Sequence, residues 1–225
     1  MNPILVRMVM DVALRRMRSE DISQVIEIEH EAFSPGWVGT QFRRELNSRH
    51  CRFLVAYLTG GEAMLASGEN NEADDAADAS MWGRMVRGVK AVFGASDAGA
   101  GDDIAGYVGI WFQGDQAHIT EIAVRESLRG RGIGELLIIG TVRAAYEQGL
   151  EEVTLEARVS NFIAQRLYDK YGFNEVGIRK NYYADNREDA VIMTTDRIHT
   201  RAYRDKFSGL QDRFFERYGD VQIEI

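Results

Sequence analysis

The stretch VRESLRGRGIGELLI, residues 124–138, most narrowly limits how this chain can fold, because it joins an apolar strand-like run to an apolar helical run through three alternating glycines. A glycine-rich turn from a strand into a helix exposes backbone N–H groups that lack carbonyl partners, and the helix dipole adds partial positive charge. Such a turn attracts phosphate oxygens, and Arg129 and Arg131 add cationic donors. Because the spacing matches neither GxGxxG nor the P-loop, a phosphate site and a plain connecting turn both stay open.

The segments around this turn alternate between helical and strand-like periodicity. We expect helices at 19–33, 40–46, 135–148 and 162–171, and strands at 12–17, 51–58, 104–112, 116–124, 152–157, 173–180 and 189–195. The short turn QGD between the third and fourth strands predicts a hairpin. Helices that interleave with strands around a central hairpin predict an α/β fold with a mixed β-sheet flanked by helices.

The first two helices carry more detailed expectations. Apolar spacing predicts that the buried face of the first helix holds Ile22, Val25, Ile26 and Glu29. Thr40 has the side chain of a helix cap and is expected to begin the second helix.

Residues 60–103 interrupt the pattern. The acidic run at 68–80 has no large apolar side chain, which predicts a mobile linker, and 81–94 predicts a basic amphipathic helix that folds back onto its own domain rather than onto a membrane or a partner. We therefore predict one domain at 1–196 with this insertion, followed by a C-terminal helical extension at 197–225. One stripe of the extension should pack on the body or on a second subunit, and its members are Tyr203, Phe207, Leu210, Phe214 and Tyr218.

Composition argues against several other classes of protein. The net charge of −8 without a concentrated basic face argues against nucleic-acid binding. No apolar stretch approaches the roughly 18 residues that a membrane span needs, and the N-terminus lacks the features of a secretion signal. Cys51, the only cysteine, is expected to be a buried small apolar group, and no Cys/His cluster has metal-ligand spacing. We expect a soluble cytoplasmic protein without a metal.

Three motifs in a fixed order are more specific than the glycine turn alone. They are R-x-x-G-x-G from Arg129, SN...LYxxxGF within 160–173 and NYY...EDA within 181–190. Over residues 12–195, apart from the insertion, the chain closely resembles the GNAT superfamily of acetyl-CoA-dependent N-acetyltransferases. Within it, the match resembles the RimI-type enzymes, which modify the α-amine of protein N-termini, in bacteria that of a ribosomal protein's N-terminal alanine. The resemblance implies the GNAT fold, acetyl-CoA as cosubstrate and a protein N-terminus as acceptor, with ribosomal proteins among the candidates.

The resemblance also implies how acetyl-CoA is held. Backbone groups of Ile122, Ala123 and Val124 would bind the pantetheine arm and the acetyl carbonyl, where the strand splays from its neighbour. The pyrophosphate would be cradled by N–H groups of the turn, from Arg129, Gly130, Arg131, Gly132, Ile133 and Gly134. Asn161 matches a cofactor-contacting asparagine, although it could also serve purely as a helix cap.

The family's two catalytic roles fall on Glu156 as general base and Tyr168 as the group that protonates or hydrogen-bonds the departing thiolate. Tyr171, one helical turn away, is the core-facing alternative to Tyr168. His118 and Glu121 compete with Glu156 as base. Strict strand alternation places these two on opposite faces, so at most one reaches the cleft unless a bulge intervenes.

The acceptor would be flanked by Phe33, Trp37, Tyr182 and Tyr183, whose rings narrow the mouth and whose hydroxyls can bond a peptide backbone. Two features depart from the family pattern near the acceptor. The stretch FSPGW is one residue longer than the family's proline-tryptophan turn, and the insertion at 60–103 precedes a central strand. A lysine or small-molecule amine therefore stays open as acceptor. An acyl-CoA-binding regulatory module is the alternative outside enzymes. A homodimer also stays open.

Overall fold

The computed structural model describes residues 10–33, 39–59 and 102–225. Its strands are β1 (Val12–Arg16), β2 (Cys51–Leu58), β3 (Asp103–Gln113), β4 (Gln116–Val124), β5 (Glu152–Arg158), β6 (Phe173–Tyr183), β7 (Glu188–Thr195) and β8 (Ile223–Glu224). Its α-helices are α1 (Ile22–Ala32), α2 (Phe42–Glu45), α3 (Ile133–Glu147), α4 (Phe162–Lys170) and α5 (Arg201–Tyr218). The predicted turn at 34–37 and residues 60–101 of the predicted insertion lie outside these ranges, so the proposed domain boundaries stay predictions.

The strands form one mixed sheet in the order β6-β7-β5-β4-β3-β2-β1-β8. Neighbours from β1 to β4 are antiparallel, β4 and β5 are parallel, and β7 is antiparallel to both β5 and β6. The expected α/β fold with a mixed central sheet is thus confirmed. No pattern in the sequence predicts β8, a strand of two residues that pairs in parallel with β1 and forms one edge of the sheet.

Two apolar cores cover the two faces of the sheet, as the alternation along β2 illustrates. Leu54 belongs to the core beneath α3, α4 and α5, whereas its neighbours Phe53 and Val55 belong to the core beneath α1 and α2. The predicted stripe of α5 is buried in the first of these cores. The extension therefore packs on the body of its own chain. No helix of the described ranges is long and apolar enough to cross a membrane.

Two local expectations are wrong. The buried face of α1 holds Ile28 in place of Ile26, which is 36% exposed. The helix faces the sheet through Val25, and each residue turns 100° around the axis, so Ile26 lies at the flank. Thr40 caps no helix, because α2 begins after Gln41 and the Thr40 hydroxyl is engaged by buried carboxylates.

At Gly140, in the middle of α3, packing and helix propensity predict opposite effects of an alanine substitution on stability. Gly→Ala in a helix interior normally stabilises by up to about 1 kcal/mol. A methyl group at Gly140, however, would overlap Leu14 and lie 3.1 Å from Leu54, and both leucines are fully buried. We expect Gly140→Ala to lower the free energy of unfolding by about 1–3 kcal/mol, measured by urea denaturation.

Gly209 in α5 is the matched control, because a methyl group there meets only Arg213, at 3.8 Å. Gly209→Ala should raise stability by roughly 0.5–1 kcal/mol. Equal stabilisation by both substitutions would contradict the packing described between α3 and the sheet.

Candidate active site

The sheet opens in its middle, between the neighbouring parallel strands β4 and β5. Their ladder runs from Gln116 opposite Glu152 to Ile119 opposite Leu155 and ends there within the described residues. Beyond that point β4 continues to pair with β3 as far as Val124, and β5 with β7 as far as Arg158. The two strands therefore border a wedge whose facing backbone edges have lost their sheet partners, and backbone groups in such a place need other partners.

A β-bulge lies where the wedge begins. The register shifts so that Ile119 and Glu121 lie opposite the consecutive residues Ile110 and Gly109, which leaves Thr120 as the extra residue. Bulges bend a strand and re-aim its side chains. The bulge brings Glu121 to the same face of the sheet as His118, so strict alternation does not hold here. Gly109 makes room for this, since a methyl group on it would lie 2.6 Å from Oε1 of Glu121.

The glycine turn closes one end of the wedge. It leaves β4 through a short 3₁₀ turn and reaches Gly132, the N-cap of α3, whose φ of 88° favours glycine over other residues. No side chain caps α3 within the described residues, so the N–H groups of its first turn are available to an anion. This end of the wedge therefore offers hydrogen-bond donors of the kind that bind an anion such as phosphate.

Glu156 lies on β5 where the wedge begins, on the face covered by α1 and α2, because its neighbours Leu155 and Ala157 belong to the opposite core. Its side chain is 7% exposed, with Oε2 3.2 Å from Nε2 of His118 and Oε1 3.1 Å from Arg179. The hydrogen bond from His118 lowers the pKa of Glu156 below its usual value, and Arg179 adds to this effect against that of burial. Glu156 is therefore a buried carboxylate that stays ionised at neutral pH.

Glu121 has a different environment. The Thr40 hydroxyl lies 2.7 Å from Oε1 of Glu29 and 3.2 Å from Oε1 of Glu121, and the hydroxyl of Tyr107 donates to Glu29 at 3.2 Å. Burial raises the pKa of Glu121 to about 7, and the hydrogen bond from Thr40 offsets part of that shift. Two nearby carboxylates in a buried site favour keeping a proton on one of them.

Beside Glu121 is a cavity of about 560 Å³ between α2 and strands β2 to β4. Trp111 and Cys51 line it. Cys51 is half-buried rather than buried as expected, because it lies at the rim of this cavity. Burial raises the pKa of the Cys51 thiol, so the thiol stays protonated at neutral pH.

Tyr168 lies on α4, on the other face of the sheet. Its side chain is buried in the core beneath α3, its ring lies 5.7 Å from that of Phe173, and its hydroxyl makes no hydrogen bond to a residue of the described ranges. Burial raises the pKa of Tyr168, with a further contribution from Tyr183. Tyr171 is buried in the same core, as expected for the core-facing residue of the two. Its hydroxyl donates to Glu135 at 2.7 Å.

The predicted aromatic pair on β6 is held by two arginines that sequence reasoning missed. Tyr182 and Tyr183 meet edge to face at 5.2 Å. Arg158 lies 3.9 Å from the centre of the Tyr183 ring, and Arg179 lies 5.7 Å from that of Tyr182. Since Arg179 also contacts Glu156, it links the aromatic pair to the carboxylate, and only the sheet order could have revealed this.

The remaining predicted site residues make no polar contact with Glu156, His118 or Arg179 within the described residues. Phe33 packs against the core beneath α1 and α2, and Trp37 lies outside the described residues. Asn161 is the N-cap of α4, where its Oδ1 accepts from the N–H of Ala164 at 3.2 Å. Among the described residues, no group of three or more His, Cys, Asp or Glu side chains could hold a metal ion.

Comparison with known proteins identifies the family. Residues 69–173 match the model of the acetyltransferase (GNAT) family. A Bacillus subtilis (strain 168) protein named as a candidate ribosomal protein bS18-alanine N-acetyltransferase is 35% identical over 182 residues, which are 80% of this chain and 93% of the relative. A Sulfurisphaera tokodaii protein named N-alpha-acetyltransferase is 47% identical over 79 residues, 35% of this chain and 47% of that protein.

A solved structure agrees with the fold. The ribosomal-protein-S18-alanine N-acetyltransferase from Escherichia coli superposes with a TM-score of 0.58 at 22% identity, covering 82% of this chain and 92% of that one. The splayed central strands and the glycine turn thus occur in a chain that belongs to the GNAT family, and the protein is an acetyl-CoA-dependent N-acetyltransferase.

Proposed function

We propose that this enzyme transfers the acetyl group of acetyl-CoA to the α-amine of a protein N-terminus. One observation carries the proposal: the wedge between β4 and β5 has the ionised Glu156 beside it and the uncapped start of α3 at its end. The names of the Bacillus subtilis and Sulfurisphaera tokodaii relatives support an N-terminal acceptor. We infer a cytoplasmic reaction with a protein substrate, a ribosomal protein among the candidates, and a homodimer stays a prediction.

The chain's own groups account for how the coenzyme would be held. Ile122, Ala123 and Val124 border the wedge on the β4 side, where the ladder to β5 has ended, and their backbone would hold the pantetheine arm. The N–H groups of 129–134 would bind the pyrophosphate, and Asn161 can contact the arm while it caps α4. A backbone N–H in the wedge would donate to the acetyl oxygen as charge develops there.

The choice of an α-amine follows from proton energetics. An α-amine titrates near 7.7–8.0, so deprotonating it at pH 7 costs roughly 1.4 kcal/mol, against about 4.6 kcal/mol for a lysine near 10.4. Glu156 is a modest base, since its pKa is lowered by His118 and Arg179. Such a carboxylate suffices for an amine that gives up its proton readily, directly or through a water.

Of the two rival bases, the geometry favours His118 as an assistant to Glu156. Its Nε2 lies 3.2 Å from Glu156, whereas Glu121 is engaged with Thr40 in a site that favours the protonated carboxyl. We assign Glu156 as base, His118 as a relay on it and Glu121 to the cavity that Trp111 and Cys51 line.

Tyr168 would serve the departing thiolate. A thiol titrates near 8.5, below a phenol near 10, and burial raises the pKa of Tyr168 further. The phenol therefore keeps its proton and stabilises the thiolate by donating a hydrogen bond, rather than by transferring the proton outright.

The acceptor peptide would pass beside the Tyr182–Tyr183 pair and Phe33, and Trp37, which lies outside the described residues, stays a predicted contact. The cation–π contacts from Arg158 and Arg179 fix the aromatic pair, so their hydroxyls are available to the peptide backbone in a defined position. An entry narrowed in this way favours a flexible, extended chain terminus over a folded surface.

A peptide panel tests the function. One peptide has a free α-amine and no lysine, and its partner has a blocked α-amine and one internal lysine. We expect CoA thiol release and a mass increase of one acetyl group only with the first. Lysine acetylation alone would identify the alternative acceptor, and acetyl-CoA binding without any thiol release would favour the regulatory module.

The same assay tests the base. Glu156→Gln keeps the shape of the side chain but removes its charge, so we expect kcat to fall about a hundredfold or more, as for loss of a general base. Glu152→Gln is the control, because Glu152 lies on the same strand outside the wedge and bonds Gln116. A Glu156→Gln variant as active as the control would remove Glu156 from the mechanism.

Glu121 gives a pH prediction. Its pKa is about 7 in the folded chain and near 4.3 when unfolded, so the folded protein binds the proton more tightly. This stabilisation is complete below about pH 4.3 and is lost as the pH rises through about 7. Glu121→Gln lacks it, so between about pH 5 and 8 the variant should gain roughly 2–3 kcal/mol of stability relative to the wild type.

Denaturation with urea at the two pH values measures this gain, while kcat of Glu121→Gln should stay within about twofold of the wild type. A fall in kcat comparable to that of Glu156→Gln would transfer the role of base to Glu121.

A further inference from the structure

The inner side of the glycine turn is covered by the C-terminal helix. A methyl group at Gly132 would lie 2.6 Å from Cζ of Tyr218 and 2.9 Å from Cε of Met10. The α-carbon of Gly132 thus rests directly on the ring of Tyr218, the last residue of α5.

Tyr218 is itself firmly held. It is 5% exposed, its ring lies 4.9 Å from that of Phe214, and its carbonyl accepts a hydrogen bond from the N–H of Met10 at 2.9 Å. Beyond the helix, Leu14 of β1 donates to the carbonyl of Gln222 at 2.9 Å. The chain is therefore tied to the segment that leads into β1 at Tyr218, and to β1 itself at Gln222.

The turn needs such a support. Gly130 and Gly132 both have positive φ angles, and glycine loses more conformational freedom on ordering than any other residue. Gly132 has no side chain with which to cap α3, so packing must set the direction of the N–H groups. Ordering a loop at the moment of binding weakens affinity, whereas a preorganised loop avoids that cost.

We propose that Tyr218 is a positioning residue for coenzyme binding, which holds the glycine turn in the geometry that grips the pyrophosphate. The inference rests on the proposed assignment of that turn to acetyl-CoA. It gives the C-terminal extension, which lies beyond the residues matched by the family model, a role in the reaction without contact to substrate.

The test uses Tyr218→Ala, Tyr218→Phe and Phe207→Ala in the full chain. Phe207 is the matched control, because it is an equally buried aromatic on the same stripe, three turns earlier, packed on Tyr146 rather than on the turn. Binding of acetyl-CoA is measured by calorimetry, which needs no acceptor. If the wild type does not bind acetyl-CoA, the proposed function is wrong. If the wild type binds and the variants do not differ, only the role of Tyr218 is wrong.

We expect Tyr218→Ala to weaken acetyl-CoA binding and raise its KM about tenfold, the equivalent of ordering one backbone residue, with kcat nearly unchanged. Tyr218→Phe, which keeps the ring, and Phe207→Ala should bind as the wild type does. S-acetyl-pantetheine, which lacks the pyrophosphate, should be used equally well by Tyr218→Ala and the wild type. If the alanine variant does not fold, Tyr218→Leu replaces it in the same comparison.

Unchanged affinity in Tyr218→Ala would overturn the proposal. So would an equal loss in Phe207→Ala, or an equal loss with acetyl-pantetheine, since either would mean general destabilisation rather than a misplaced turn.

Discussion

The loss of strand pairing between β4 and β5 is the constraint on which the rest of the structure depends. A sheet gains its stability from continuous ladders, yet this ladder ends at Ile119 and Leu155, in the middle of the sheet rather than at its edge. The bulge at Thr120 supplies the bend, and Gly109 supplies the space for the side chain that the bulge re-aims. Backbone groups that would otherwise be satisfied inside the sheet are thereby left for a ligand that lies between the strands.

The two faces of the sheet supply different chemistry to this opening. The face beneath α1 and α2 carries the ionised Glu156 with His118 and Arg179, and also the buried pair of Glu29 and Glu121. The other face supplies Tyr168, whose pKa is raised by burial. In the proposed mechanism, a base on one face accepts a proton from the amine, while a hydrogen-bond donor on the other face stabilises negative charge on sulfur.

Much of this fold could be predicted from the sequence, because strand and helix periodicity and the three motifs are local signals. The segments 51–58 and 116–124 are strands with the predicted bounds. The remaining features depend on contacts between distant segments. Thr40 resembles a helix cap until Glu29 and Glu121 are brought to it, and Arg179 reaches Glu156 only through the order β6-β7-β5. The bulge shifts the parity of β4 by one residue, which no alternation pattern encodes, and the contact of Tyr218 with Gly132 spans most of the second half of the chain.

Amide hydrogen exchange with and without CoA tests most directly the claim that the opened strands and the glycine turn together form the coenzyme site. We predict slower exchange on CoA addition in residues 122–124 and 129–134, with strands β1 and β2 unaffected. Exchange that is unchanged in both segments at saturating CoA, or protection confined to the cavity beside Trp111, would contradict it.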